Sequence, residues 1–285
     1  MLKGISTQLF LEEELTLNRL KTLRAAGFDR IEILAIPPHF DYRDKTRLQD
    51  MAAWLRDQGT ILHSIHTPFS MDYQAMKASQ WLSVASPEKA RRRAAVDEVC
   101  RAMEFFEKAF CPFAVVHMGA PGDSNRLKLL DALYESLEVL VPFASARGMK
   151  IALENIPGEL SLLENMRRFL EEAGQEEVGI CFDTGHSNLM ANPVSEIAAG
   201  GSRIVTTHLH DNRGKDDDHL LPFEGKIPWE EVLRAFQKID YSGCWMLEVK
   251  GGDQSPDGVL QAAGRVFDRL EAILERAQTQ DERVV

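Results

Sequence analysis

The chain has 285 residues, of which 44% are hydrophobic, and it carries a formal net charge of −11. This composition is sufficient for one large core, and the acidic balance argues against binding nucleic acid through a basic face. The opening MLKGISTQLF lacks the apolar stretch of a signal peptide, and no apolar run is long enough to span a membrane.

The cysteines also indicate the compartment. Cys100, Cys111, Cys181 and Cys244 are scattered without a paired spacing. We interpret them as small core residues in a reducing compartment, which predicts a cytoplasmic protein.

Eight near-continuous apolar runs follow one another along the chain, as is typical of parallel strands that are covered on both faces. They predict strands over 3–7, 30–35, 60–66, 112–117, 149–154, 178–183, 203–209 and 244–249. Amphipathic spacing between them predicts helices, including one over 87–110 that begins at Ser86-Pro87-Glu88 and a closing helix over 259–274. The glycines at 27, 59, 148 and 174 follow helical segments and are expected to end them.

This alternation predicts a single (β/α)8 TIM barrel over residues 1–278, followed by a polar tail over 279–285. A doubly wound open sheet is the alternative. Two connections are unusually long, residues 67–86 and 209–228, and long loops on the carboxyl face of a barrel usually serve the site.

An ionisable residue closes each of six predicted strands, where the active site of a barrel is built. These residues are His66, His117, Glu154, Asp183, His208 and Glu248. Side-chain alternation places Glu154 on the same face as Ala152, so it is expected to point into the barrel mouth. His63 lies an odd number of residues before His66, and we predict that it faces the helical layer or a neighbour, in a structural role.

Four of these residues, Glu154, Asp183, His208 and Glu248, come from predicted strands five to eight. Three carboxylates and one imidazole favour one divalent ion, Mn²⁺, Mg²⁺, Co²⁺ or Zn²⁺. Such an ion would offset the mutual repulsion of the acids. The alternative for each acid is pairing with a lysine or arginine. We expect no organic cofactor.

A second group provides possible additional metal ligands: His66, His117, His186, Asp217 and His219. His186 lies three residues after Asp183, so both can reach one site. For His66 and His117 the alternative is a satisfied mouth residue that binds no metal. Phe69, in the first long loop, is predicted to stack on the apolar face of a sugar.

At these residues the chain resembles the xylose isomerase-like TIM-barrel superfamily. This superfamily contains sugar isomerases and epimerases, inosose dehydratases and type IV apurinic endonucleases. The stretches that carry the resemblance are GFDRIEI, HSIHTPF, VVHMG, ALENIP, CFDTGHSNL, THLHDNRGKDDDHLLPFEGKIPW and LEVKG.

In the isomerase and epimerase branch, the resemblance implies that Glu154, Asp183, His208 and Glu248 bind one catalytic metal. The two glutamates would flank the substrate carbon that loses its proton. The resemblance also implies that Glu32 and His186 bind the substrate. We expect His66, His117 and Arg213 to bind it as well, although Arg213 lies only near the position of the arginine that some epimerases use. In the endonuclease branch, His66, His117, Asp217 and His219 would join a three-zinc cluster.

Our first hypothesis is a metal-dependent isomerase or epimerase of a small sugar or sugar-derived ketone. Glu154 and Glu248 would transfer the proton through a metal-stabilised enediolate. The alternatives are a zinc-dependent phosphodiesterase that acts at abasic DNA, a keto-polyol dehydratase, and a non-catalytic sugar-binding barrel. The expected partner is a small sugar, without membrane association; the charge disfavours nucleic acid, and a homo-oligomer is left open.

Overall fold

The structure is a computed structural model and describes residues 1–28, 30–57, 61–106, 109–121, 123, 126–158, 160–251 and 254–281. Its strands are β1 Leu2–Ser6, β2 Arg30–Leu34, β3 Ile61–His66, β4 Phe113–His117, β5 Lys150–Glu154, β6 Gly179–Asp183, β7 Ile204–His208 and β8 Cys244–Leu247. Its helices are α1 Leu17–Ala25, α2 Lys45–Asp57, α3 Tyr73–Lys77, α4 Lys89–Phe105, α5 Arg126–Ser145, α6 Leu163–Glu172, α7 Thr184–Met190, α8 Pro193–Gly200, α9 Trp229–Lys238 and α10 Pro256–Asp281.

The strands form one parallel sheet in the order β7-β6-β5-β4-β3-β2-β1-β8. The two outer strands meet just beyond the end of β7, where Leu209 bridges Leu247 in parallel. There the Leu209 amide donates to the Met246 carbonyl at 2.7 Å, and the Glu248 amide donates to Leu209 at 3.2 Å. The predicted (β/α)8 barrel is therefore confirmed, and the open-sheet alternative is wrong.

Side-chain alternation sorts the strand residues between two layers. Val115, Ala152 and Cys181 form a separate cluster inside the barrel, on the face that ends in the predicted mouth residues. On the opposite face, Phe182 of β6 packs edge-on against Phe236 of α9, with ring centroids 5.8 Å apart. The inward orientation predicted from the sequence is thus confirmed for these three strands.

His63 is an exception to this alternation. The pairing of β2 with β3 shifts so that Ile31 lies opposite Leu62 and Glu32 lies opposite Ser64, which leaves His63 in a bulge. Its Nε2 atom is 3.0 Å from Thr206 Oγ1 on β7, four strands away around the barrel. Of the two predicted orientations, the one toward the helical layer is wrong, because the bulge turns the ring into the barrel.

Helix α4 starts later than predicted. The helix begins at Lys89. Its N-cap is Glu88, whose side chain makes no capping hydrogen bond. The predicted start at Ser86-Pro87 is wrong: the carbonyl of Ser86 instead accepts a bond from Arg92 Nη1 at 2.9 Å. The side chain of Arg92 therefore satisfies the backbone of the segment that precedes the helix.

Three helix ends follow the predicted glycine pattern. Gly27, Gly148 and Gly174 have φ values of +92°, +70° and +64°, which only glycine adopts readily. Gly59 lies outside the described residues. Helix α10 includes residues 279–281 of the predicted tail, and residues 282–285 also lie outside.

The cysteines and helices bear on the predicted compartment. All four cysteines are free thiols; Cys100 is half-buried and the other three are buried. No helix in the described ranges has both the length and the apolar character that crossing a bilayer requires. The cytoplasmic location stays a prediction.

Candidate active site

A cavity of about 420 Å³, here called the mouth cavity, opens at the carboxyl ends of the strands. Its polar lining consists of Gln8, His66, His117, Glu154, His186, Asp217, His219, Glu248 and Lys250. Its apolar lining consists of Leu11, Phe69, Met76, Trp81, Pro121, Ile156 and Pro157. Carboxylates and imidazoles thus share one cavity with an aromatic and aliphatic wall.

The four predicted metal ligands meet in this region. Glu154, Asp183 and His208 end β5, β6 and β7, and Glu248 follows β8 directly. One ligand atom from each lies within 4.8 Å of the others, and each residue is at most 2% exposed. His208 Nδ1 is 3.1 Å from Glu154 Oε1 and 3.5 Å from Glu248 Oε2. The structure therefore brings together the whole set that was predicted from separate strands.

The electrostatics of this set favour a cation. Burial raises the pKa of Glu248, and the nearby Glu154 adds to the effect. Although burial opposes it, His208 and His117 hold the pKa of Glu154 well below its usual value. Two buried carboxylates so close together repel each other unless positive charge compensates.

The donor set also fits a divalent ion. Oε2 of Glu154 is buried and has no hydrogen-bond partner, even though His66 Nε2 lies only 3.1 Å away. Three carboxylates and one imidazole are ligands that Mn²⁺, Mg²⁺, Co²⁺ and Zn²⁺ accept. The residues present are thus suited to hold such an ion, and their role as ligands stays a prediction.

His208 is oriented from the side opposite the cluster. Its Nε2–H donates to Glu32 Oε2 at 2.9 Å, and the same oxygen accepts from Ser64 Oγ at 2.7 Å. Burial opposes charge on the ring, but Cys181, Glu248 and Glu32 raise the pKa of His208 well above its usual value. A divalent ion bound by His208 would compete with a proton for the ring.

Two predicted substrate-binding residues are not among the described residues that line the mouth cavity. Glu32 is fully buried and contacts His208, as above. Arg213 is 61% exposed, and its guanidinium is 3.6 Å from Asp218. The substrate-binding roles of both residues stay predictions. The position of Glu32 is suited to orienting the ring of His208 through their hydrogen bond.

The two histidines that end β3 and β4 lie close to the second carboxylate oxygen of Glu154. Glu154 Oε2 is 3.1 Å from His66 Nε2 and 3.4 Å from His117 Nε2. The ring of Phe69 stacks on His117, with centroids 4.6 Å apart and planes 15° apart. Phe69 therefore forms the cavity wall beside these imidazoles, and its stacking on a sugar stays a prediction.

A second set of ligand atoms lies beside the first. His186, His210, Asp217 and His219 each offer one atom within 4.8 Å of the others. Asp217 Oδ2 accepts from His219 Nε2 at 2.9 Å and lies 3.5 Å from His186 Nε2. Burial opposes charge on His186, but Asp183 and Asp217 raise its pKa well above the usual value. This set is compatible with a second cation, which stays a prediction.

His210 was missed by the sequence analysis. It is fully buried, its Nε2 is 3.0 Å from both oxygens of Asp183, and its ring stacks on His219 with centroids 3.9 Å apart. The sequence His208-Leu209-His210 could have indicated this position, because a residue two positions after His208 lies on the same face of an extended strand. Gly185 makes room for this ring, because a Cβ there would lie 1.9 Å from His210 Cε1.

Comparison with known proteins now identifies the family. Residues 20–272 match the family model described as xylose isomerase-like TIM barrel. The chain belongs to this family. An uncharacterised protein of Methanocaldococcus jannaschii is 31% identical to it over 257 residues, which are 87% of this chain and 83% of that protein.

Other proteins similar to this chain include named enzymes. D-psicose 3-epimerase of Enterocloster bolteae is 24% identical over 242 residues, covering 79% of this chain and 73% of that enzyme. The crystal structure of a D-tagatose 3-epimerase-like protein is 26% identical and covers 97% of this chain and 99% of that one, with a TM-score of 0.78. Probable endonuclease 4 proteins are similar at 22% to 24% identity.

Proposed function

We propose that this member of the xylose isomerase-like family is a divalent-metal-dependent isomerase or epimerase of a small sugar or sugar-derived ketone. The observation that carries the proposal is the position of two glutamates. Glu154 and Glu248 both line the mouth cavity, and their oxygens converge with Asp183 and His208 on one point. A reaction at a carbon that lies between them would have a carboxylate on each side.

A divalent ion held by this set would polarise a carbonyl oxygen and stabilise negative charge on it. One of Glu154 and Glu248 then removes the proton from the adjacent carbon as a general base. The other returns a proton to the neighbouring carbon or to the opposite face. Glu154 ends β5 and Glu248 follows β8, so the two carboxylates would approach the substrate from different sides of the mouth.

The neighbouring residues support binding of substrate oxygens. His186 Nδ1–H donates to the Asn155 carbonyl at 2.9 Å, which orients Nε2 toward the cavity side that holds Asp217. The apolar wall excludes water from the carbon that reacts. Of the residues described along this cavity, Lys250 is the only lysine or arginine, so an uncharged sugar fits better than a sugar phosphate.

Hydrogen exchange with solvent tests the proposal. Ketoses, including D-psicose and D-tagatose, are incubated in heavy water with the protein and Mn²⁺, Mg²⁺ or Co²⁺, and proton NMR follows each carbon-bound hydrogen. We expect deuterium at the reacting carbon and a new epimer or isomer. A product that has lost water would instead identify a dehydratase, which begins with the same proton removal. No exchange and no product with any sugar or ion would contradict the proposal.

A second candidate is metal-assisted phosphodiester cleavage at abasic DNA. It is favoured by the additional ligand set around Asp217, which would bring the number of ions above one. The scarcity of lysine and arginine in the cavity lining and the net charge of −11 weigh against it. Metal analysis and duplex binding decide: one ion per chain without DNA affinity at moderate salt eliminates this candidate.

A further inference from the structure

A second cavity, here called the side cavity, adjoins the mouth cavity. Its volume is about 550 Å³, and Trp81 and Pro121 line both cavities. It lies between the segment that precedes α4, one face of α4, and the turn after β4. Trp81 and Pro121 therefore form a boundary that the two cavities share.

The chemistry of the side cavity differs from that of the apolar wall. Its polar lining consists of Ser79, Gln80, Ser83, Ser86, Arg91 and Asp123. Asp123 Oδ2 accepts from Ser83 Oγ at 3.0 Å and from the Ala120 amide at 2.8 Å, so this part of the lining is already ordered. Hydroxyl, amide and charged groups together offer both donors and acceptors, which is what a molecule rich in hydroxyl groups requires.

Aromatic rings lead from the mouth to this cavity. Phe69 stacks on His117, and its centroid lies 6.2 Å from that of Trp81. Trp81 is half-buried and lines both cavities, so its side chain contributes to the wall of each. An indole with an apolar face and polar neighbours suits the apolar face of a sugar ring.

We propose that the side cavity is a subsite for a second sugar unit, and that the substrate is a glycosylated ketose. The inference rests on the proposed function: the ketose unit occupies the mouth cavity, beside Glu154 and Glu248. The attached sugar lies past Trp81, against Ser83 and Asp123. The volume of the side cavity falls within the range of ligand sites, about 300–1,000 Å³.

The test compares two substrates that differ by one sugar unit. A free ketohexose and the same ketohexose with a glucosyl group on its terminal hydroxyl are assayed for solvent hydrogen exchange. The subsite adds stacking and hydrogen bonds, so kcat/KM of the glucosyl ketose should exceed that of the free ketose by about tenfold or more. Equal values, or a preference for the free ketose, overturn the inference.

A matched pair of variants locates the effect. Ala94 lines the side cavity on an exposed face of α4, so Ala94→Trp fills that space. Ala90 lies one turn earlier, is also exposed and is not among the lining residues, so Ala90→Trp is the control. Ala94→Trp should lower kcat/KM of the glucosyl ketose by about tenfold and that of the free ketose by less than about twofold. Ala90→Trp should change neither. An equal loss for both sugars, or no loss for either, contradicts the subsite.

Failure of the subsite and failure of the proposed function give different results. If the free ketose exchanges hydrogen but the glucosyl ketose gains nothing, the function stands and the subsite is wrong. If neither sugar exchanges with folded, metal-loaded protein, the proposed function fails. Saturation-transfer NMR of the two sugars then decides the subsite alone: contact with the glucosyl ring that Ala94→Trp removes supports it, and no such contact overturns it.

Discussion

His208 and Glu32 form a buried pair in which the Nε2–H of the imidazole donates to the carboxylate at 2.9 Å. Both side chains are fully buried. The bond leaves Nδ1 directed at the carboxylate cluster, where Glu154 Oε1 lies 3.1 Å away. A carboxylate behind a metal-binding histidine fixes its tautomer and increases its basicity. Glu32 therefore has a positioning role in the proposed site.

Glu32→Gln should weaken this arrangement without changing its shape. The amide keeps an acceptor oxygen but loses the charge, so divalent metal affinity should fall by about 10- to 100-fold. Isothermal titration with Mn²⁺ measures the change. Ser64→Ala is the control, because it removes one hydrogen bond to Glu32 and leaves the carboxylate; its effect should be smaller. Wild-type affinity in Glu32→Gln would show that the pair does not tune the ligand.

The two cavity glutamates should each be essential for proton transfer. Glu154→Gln and Glu248→Gln retain size and lose basicity, so hydrogen exchange at saturating metal should fall by about 10²- to 10⁴-fold. Metal content is measured on the same samples, which separates loss of the base from loss of the ion. Glu230→Gln on the exposed side of α9 is the control and should exchange at the wild-type rate. Full activity in either cavity variant would remove that glutamate from the acid–base role.

Much of the site was predictable because parallel strands end at one rim. Once Glu154, Asp183 and His208 are recognised at the ends of apolar runs, barrel closure brings them together without further information. Glu248 follows the same rule, one residue past β8. The predicted fold and the convergence of this set needed only periodicity and chain order.

Other features depend on irregularities that periodicity does not encode. The bulge at His63 reverses the alternation that placed this ring outside the barrel. His210 lies beyond the end of β7, and its place between Asp183 and His219 depends on the missing Cβ of Gly185. The side cavity arises from how three separate segments pack, and each of them alone is an ordinary loop or helix.

The buried ring of His63 should make stability depend on pH. Burial lowers the pKa of His63 to about 4 in the folded protein, from an ordinary value of about 6.5 in the unfolded chain. The unfolded state therefore binds a proton first as the pH falls, and stability is lost between about pH 6.5 and pH 4. The loss that this residue contributes is about 3 kcal/mol.

Comparison with His63→Gln isolates this contribution from that of the carboxylates, which titrate in the same range. Denaturant unfolding of metal-free protein at pH 7, 6, 5 and 4 gives the free energy of unfolding of each. The wild type should lose more stability than the variant as the pH falls, with the gap between the two proteins changing by about 3 kcal/mol. Parallel pH curves would mean that His63 does not titrate differently on folding.

Asp211 organises the long loop after β7. Its carboxylate accepts bonds from the amides of Asn212, Phe223 and Ile227 and from Trp229 Nε1, at 2.8 to 3.1 Å. The side chain is fully buried. Since the loop between these contacts carries Asp217 and His219, one carboxylate fixes the segment that completes the second ligand set.

Asp211→Ala should therefore be severely destabilising. It leaves buried donors without an acceptor, and bonds to a charged group contribute about 1.5–3 kcal/mol each, so we expect a loss of more than about 3 kcal/mol. Asp216→Ala, an exposed position in the same loop, is the control and should change stability by less than about 0.5 kcal/mol. Thermal and denaturant unfolding measure both variants. Asp211→Asn, which keeps one acceptor oxygen, should lie between them; equal stability of Asp211→Ala and Asp216→Ala would mean that the loop is held by its other contacts.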